Sequence, residues 1–201
     1  MRSALFIASG AAVLLYAWAG PLPALVAGSF SAHMWLHMSV VGIGVPLLAI
    51  GLAGRYRLAL LARAPLVLPI AVSIADFVVV WLWHVPALHH ASRGGGAWLA
   101  LEQASFAGAA LLVWLVAFAG PPLAGAFTLF FTSMHMTLLG ALLGLAPRPV
   151  YPVHHGAAWF GLTPLADQQV GGVVMLAVGG IVYLGAGLLL AARVLDRRVS
   201  A

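Results

Sequence analysis

The sequence predicts an all-α, polytopic transmembrane bundle of six helices with both termini cytoplasmic, on three observations. Hydrophobic residues make up 64% of the 201 residues and charged ones 6%, with a mean hydropathy of +1.09. That leaves too little polar surface to cover a water-soluble globule. Several apolar runs reach the roughly 20 residues that a helix needs to cross about 30 Å of hydrocarbon, whereas a β-barrel would show short alternating segments. Finally, the basic residues, all arginine, collect on one side of a six-helix scheme.

The first apolar run covers about residues 4–20 and stops at Gly20-Pro21-Leu22-Pro23. Arg2 in front gives it the look of a signal peptide, but its apolar part is long and Trp18 makes a poor cleavage context, so a retained helix is expected. The second helix spans about 31–52, with Gly42, Gly44 and Pro46 loosening its middle, and Arg55, Arg57 and Arg63 follow in a short loop. The third spans about 65–88, carrying Asp76 deep inside and Trp81, Trp83 and His84 at its far end, where tryptophans suit an interfacial belt. A turn from His89 to Gly96 leads to the fourth helix at about 97–119, ended by Gly120-Pro121-Pro122. The fifth covers about 123–146. A long connection rich in proline and aromatics, with the pair His154-His155, precedes the sixth at about 168–195. Residues 1–201 thus form a single integral membrane domain.

With both termini inside, Arg2, Arg55, Arg57, Arg63, Arg193, Arg197 and Arg198 are cytoplasmic and only Arg93 and Arg148 lie outside, as the positive-inside rule requires. The same scheme puts His33, His37, His84, His89, His90, His154 and His155 at the outer ends of helices or in outer loops, leaving His135 mid-membrane. Glu102 and Asp167 open helices four and six on that outer side. The basic charge therefore belongs to topology and not to nucleic-acid binding.

Ser31-Ala32-His33-Met34-Trp35-Leu36-His37-Met38 is the stretch richest in chemistry. Residues four apart share a helix face, so His33 and His37 can aim two imidazoles at one ion. That spacing suits zinc or copper as well as a structural hydrogen bond. Met34 and Met38 tilt the expectation toward Cu(I), which accepts thioether and imidazole ligands, although methionine also fills gaps in apolar packing. His84 is the preferred third ligand, and His135, flanked by Met134 and Met136, a lesser candidate. For His89, His90, His154 and His155 a plain interfacial role is as good a reading as ligation.

Carboxylates in lipid are costly and usually paired or functional. Glu102 and Asp167 are expected to orient ligand histidines from behind. Asp76 lies eight residues before His84, about 12 Å along the axis and some 80° around it, so it is read as a packing residue or a proton-handling one. The absence of cysteine removes disulfides, thiolate metal sites and a cysteine nucleophile. No Ser-His-Asp order, phosphate-binding loop or HExxH pattern supports hydrolysis or phosphoryl transfer, and the protein is expected not to be an enzyme. Two other readings use the same residues. One is a haem-binding membrane redox protein with axial histidines among His37, His84 and His135; the other is a copper or proton transporter stepping through Asp76 and His135.

Five ordered motifs also form a pattern: His33-Met-x-x-His37 with Gly42-x-x-x-Pro46, Trp83-His84-x-Pro86, Glu102-x-x-Ser105-Phe106, Ala146-Pro-Arg-Pro-x-Tyr-Pro152, and Leu165-x-Asp167-Gln-Gln-x-x-Gly172. Together, over about 31–193, they resemble the cysteine-free, multi-helix CtaG family of cytochrome c oxidase assembly factors. The resemblance implies a multi-pass protein of the bacterial inner membrane that helps mature a haem-copper oxidase by handling copper. Oxidase subunits, a periplasmic copper donor and the lipid bilayer are the partners it implies. The chain departs from that pattern in having Gln103 where members usually have a histidine after the glutamate, and in having six helices where seven are common.

Overall fold

The computed structural model describes residues 1–56, 58–63, 65–151 and 159–199, so Arg57, Pro152, His154 and His155 lie outside the described residues. Every regular element among them is helical. Helix one is Arg2–Ala19, followed past the Gly20-Pro21 break by one short turn, Leu22–Leu25. Helix two is Phe30–Arg55, helix four Gly96–Ala119, helix five Pro122–Gly144 and helix six Pro164–Asp196. Five spans are long and apolar enough to cross a membrane, and the count rises to six if helix three is one bent span.

Helix three departs from the expected straight run over 65–88. It is Val67–Trp83, and a second segment, Pro86–Arg93, leaves it at 73°. The cause is Pro86, which sits at the start of the second segment with Val85 extended before it (φ −65°, ψ 131°). A proline pushes its predecessor out of the helical region and is at home at a first helical position. His89 and His90 consequently lie in a helix and not in a turn.

Helix two is the centre of the bundle. Buried positions make up 61% of its apolar window, against 17% for helix one, and it packs against helices one, four and six. Its middle, Val40–Gly44, is a π-helical stretch in which the Val45 N–H reaches back to Val40 O. In that register the next donor would be Pro46, which has no N–H. Val41 O instead accepts from Trp114 Nε1 at 3.1 Å and from Tyr183 Oη at 2.8 Å. Helices four and six are thereby pinned to helix two where its own ladder is open.

Helices five and six approach closely through small residues. A Cβ on Gly140 would stand 2.7 Å from Leu176 N and 2.8 Å from Gly172 O, the backbone proximity that small residues allow between membrane helices. On the outer surface Leu15, Ile70, Leu123, Leu142, Ile181 and Leu189 are exposed. Such a surface suits hydrocarbon, and the fold is that of a multi-pass membrane protein.

Candidate metal centre

Helix two begins with an unusually complete cap. Ser29 Oγ accepts from Ala32 N at 3.2 Å, and Asp167 of helix six reaches across to take the rest. Its carboxylate accepts from Phe30 N (2.6 Å), Ser31 N (3.2 Å), Ser29 Oγ (2.8 Å) and Ser31 Oγ (2.5 Å). A carboxylate at a helix N-terminus satisfies orphan N–H groups and complements the dipole. Asp167 therefore positions the histidine-bearing turn through its backbone, where the sequence suggested contact with a ligand imidazole.

One turn further on, His33 and His37 present their rings together, with centroids 4.3 Å apart. Helix four brings Glu102 against both. His33 Nε2 donates to Glu102 Oε2 at 3.0 Å, and His37 Nε2 lies 3.6 Å from Oε1. All three side chains are buried, at 0–1% relative exposure. One ligand atom from each lies within 4.8 Å of the others. Donors about 2 Å from one metal stand at most about 4 Å apart, so the three atoms need only a small inward movement to share an ion.

His84 closes the group from the end of helix three. Its Nδ1 lies 2.6 Å from Val80 O, and a carbonyl can only accept, so the proton is on Nδ1 and Nε2 carries the lone pair. The ring is 6.3 Å from that of His37. The bend at Pro86 then returns His89, 1% exposed, to within 4.8 Å of the His33 ring. The sequence leaves His89 open between a plain interfacial group and a ligand; the signal for its place here is Pro86, which starts a new helix and carries His89 back over its predecessor.

Four buried polar atoms of this cluster lack a hydrogen-bond partner: His33 Nδ1, His84 Nε2, His89 Nε2 and Glu102 Oε1. Leaving such atoms unpaired costs about 1–3 kcal/mol each. The arrangement fits a cation, since imidazole nitrogens and a carboxylate are ligands for zinc or copper. The expected thioethers are less clearly placed. Met34 is buried but packs toward helix six, its Cγ 3.0 Å from where a Cβ on Gly171 would stand, and Met38, also buried, lies about 100° round the helix from His37.

The remaining motif residues hold this cluster in place. Trp83 Nε1 donates to Ser105 Oγ at 2.8 Å, tying helix three to helix four beside Glu102. Phe106 packs on the His37 ring at 4.5 Å. Tyr151 donates to His84 O at 3.1 Å and packs on His89 and Phe30, and its burial raises the phenol pKa, keeping the hydroxyl a donor. Gln168 secures that loop by accepting from Val150 N at 2.7 Å. Gln103, beside Glu102, donates through Nε2 to His37 Nδ1 at 2.9 Å and accepts from Trp18 Nε1 at 3.3 Å.

His135 and Asp76 stand apart from the cluster. His135 Nε2 lies 3.2 Å from Asp76 Oδ2, which also accepts from Thr132 Oγ1 at 3.1 Å. They form a second buried polar site between helices three and five.

Fold and site define a multi-pass helical membrane protein with a buried histidine–carboxylate cluster gathered from helices two, three and four. The chain belongs to the cytochrome c oxidase caa3 assembly factor family (Caa3_CtaG), whose model matches residues 1–197. Comparison with curated proteins and with solved structures gives no match in either.

Proposed function

We propose that the protein binds copper at His33, His37 and Glu102, with His84 as the further imidazole, and passes it to a haem-copper oxidase during assembly. The observation that carries this reading is the convergence of three buried ligand atoms within 4.8 Å, beside nitrogens that have no partner of their own. Membership of an oxidase assembly family supplies the context. Copper is here a cargo, held by imidazole and carboxylate, and the protein's own residues bind and release it without turnover. Met34, packed toward helix six, and Met38, about 100° round the helix from His37, are outside this ligand set, which is imidazole and carboxylate.

The positive-inside rule gives the orientation: both termini are cytoplasmic and the cluster lies toward the outer face of a bacterial inner membrane, where a periplasmic donor would deliver the metal. Metal analysis of the purified protein beside a His33→Ala, His37→Ala variant tests the assignment. Wild type is expected to retain copper and the variant to lose it. Equal copper in both would overturn the ligand set, and a Soret band in the purified protein would favour haem instead.

A further inference from the structure

Gln103 connects the cluster to helix one. Trp18 Nε1 lies 3.3 Å from Gln103 Oε1, and Gln103 Nε2 lies 2.9 Å from His37 Nδ1. An indole N–H can only donate, so the amide oxygen must face Trp18 and the NH2 must face His37. An amide NH2 also only donates. His37 Nδ1 is therefore the acceptor, and the single proton of the neutral ring sits on Nε2, the nitrogen that faces Glu102 Oε1 at 3.6 Å.

That tautomer is the wrong one for binding a metal at Nε2. A neutral imidazole ligates through a lone pair, with its proton on the other nitrogen. When Nε2 takes a metal, its proton leaves and one is gained at Nδ1, so the ring remains neutral. The new Nδ1–H then needs an acceptor, and the only one Gln103 offers is Oε1. Turning the amide by half a rotation supplies it but sets the NH2 against the Trp18 N–H, two donors face to face. Gln103 has space to turn, because it lines a cleft of about 350 Å³ with Trp18, Pro23, Leu36 and Leu99.

We propose that metal binding at His37 Nε2 rotates the Gln103 amide and releases Trp18, so that helix one reports whether the cluster is occupied. The inference rests on the reading that this cluster binds metal. Helix one suits such a part: it is the least buried of the five unbroken spans, and Trp18 is 42% exposed at its end. A change there is offered directly to whatever packs on the outer face of the bundle.

The test uses the full chain labelled with 5-fluorotryptophan, titrated anaerobically with Cu(I), a diamagnetic ion, and followed by fluorine NMR, with the Trp18 resonance assigned from Trp18→Phe. In wild type that resonance is expected to move in step with copper binding. Gln103→Glu can accept from the indole and from Nδ1–H at once, so it should bind copper more tightly with the Trp18 resonance unmoved. Trp18→Phe introduces no buried charge and frees the amide, and should tighten binding by about 2- to 10-fold, the scale of one hydrogen bond. Copper bound by wild type with an unmoved Trp18 resonance, or unchanged affinity in Trp18→Phe, would overturn the coupling while leaving the site intact. No copper bound by wild type would instead remove the site and the coupling with it.

Discussion

His33 Nε2 donates to Glu102 Oε2 at 3.0 Å in a setting closed to solvent, with both side chains at 0–1% relative exposure. The pair joins helix two to helix four at the point where the candidate ligands meet. Glu102→Gln keeps the shape and hydrogen-bonding capacity of the side chain and removes its charge. Copper affinity is expected to fall by at least about 10- to 100-fold, the loss on removing a carboxylate that only supports ligand imidazoles, because Glu102 is here proposed as a ligand itself. Competition against a chromophoric copper chelator measures this. Unchanged affinity would mean that the imidazoles bind without the carboxylate.

Asp167 acts at a distance from the same site. Its carboxylate receives two backbone N–H groups and two serine hydroxyls at the start of helix two. Asp167→Ala leaves those donors buried without their acceptor, and the expected loss is about 3 kcal/mol or more. Thr163→Ala, which removes the cap of helix six at Ala166 N, should cost only about 1 kcal/mol. Thermal unfolding in detergent ranks the two. If Thr163→Ala proved the costlier, Asp167 would not be the main anchor of helix two.

These assignments show what the sequence carries and what it withholds. The spacing of His33 and His37 is a helical property, so their shared face was legible. Glu102 is legible as a carboxylate that would stand behind a ligand histidine, whereas the structure sets it against both imidazoles, where it can itself be a ligand. His89 was not, because helical periodicity does not give the 73° turn at Pro86 that brings it back. Arg93, expected in an outer loop, is buried and donates to Val26 O and Ala27 O, because it ends the same returning segment. Asp167 was recognised as important, but its target was misread. Its position in the first turn of helix six says nothing about which neighbouring helix it will cap. The π-helical stretch at Val40–Gly44 was foreshadowed by Gly42, Gly44 and Pro46, whereas its partners Trp114 and Tyr183 depend on helix order around the bundle, which one chain does not reveal.

Glycines divide sharply by position. Gly140 faces the helix six backbone at 2.7–2.8 Å from a would-be Cβ, and backbone cannot step aside as a flexible side chain can. Gly140→Val is expected to destabilise the protein by about 1–3 kcal/mol or to push helices five and six apart. Gly108 has nothing within 4 Å of its would-be Cβ, so Gly108→Ala should be neutral or stabilising by up to about 1 kcal/mol through helix propensity. Thermal unfolding of the two variants side by side gives the comparison, and equal effects would argue against tight packing at Gly140.

The Asp76–His135 pair supplies the last contrast, because it is buried, polar and separate from the histidine–carboxylate cluster. Asp76 Oδ2 holds both His135 Nε2 and Thr132 Oγ1, while His135 Nδ1 and Ser73 Oγ nearby on the chain lack hydrogen-bond partners. Removing one member strands the other in an apolar interior. His135→Leu is accordingly expected to cost about 3–5 kcal/mol, and Asp76→Leu a comparable amount. Replacing both with leucine should cost less than the sum of the singles, since no buried charge or unpaired ring then remains, and a double-mutant cycle measures the difference. Copper content should be unchanged in every variant that folds, because neither residue touches His33, His37 or Glu102. Loss of copper with the fold intact would show that the mid-membrane pair and the outer cluster belong to one pathway, and would move Asp76 and His135 from stability to transport.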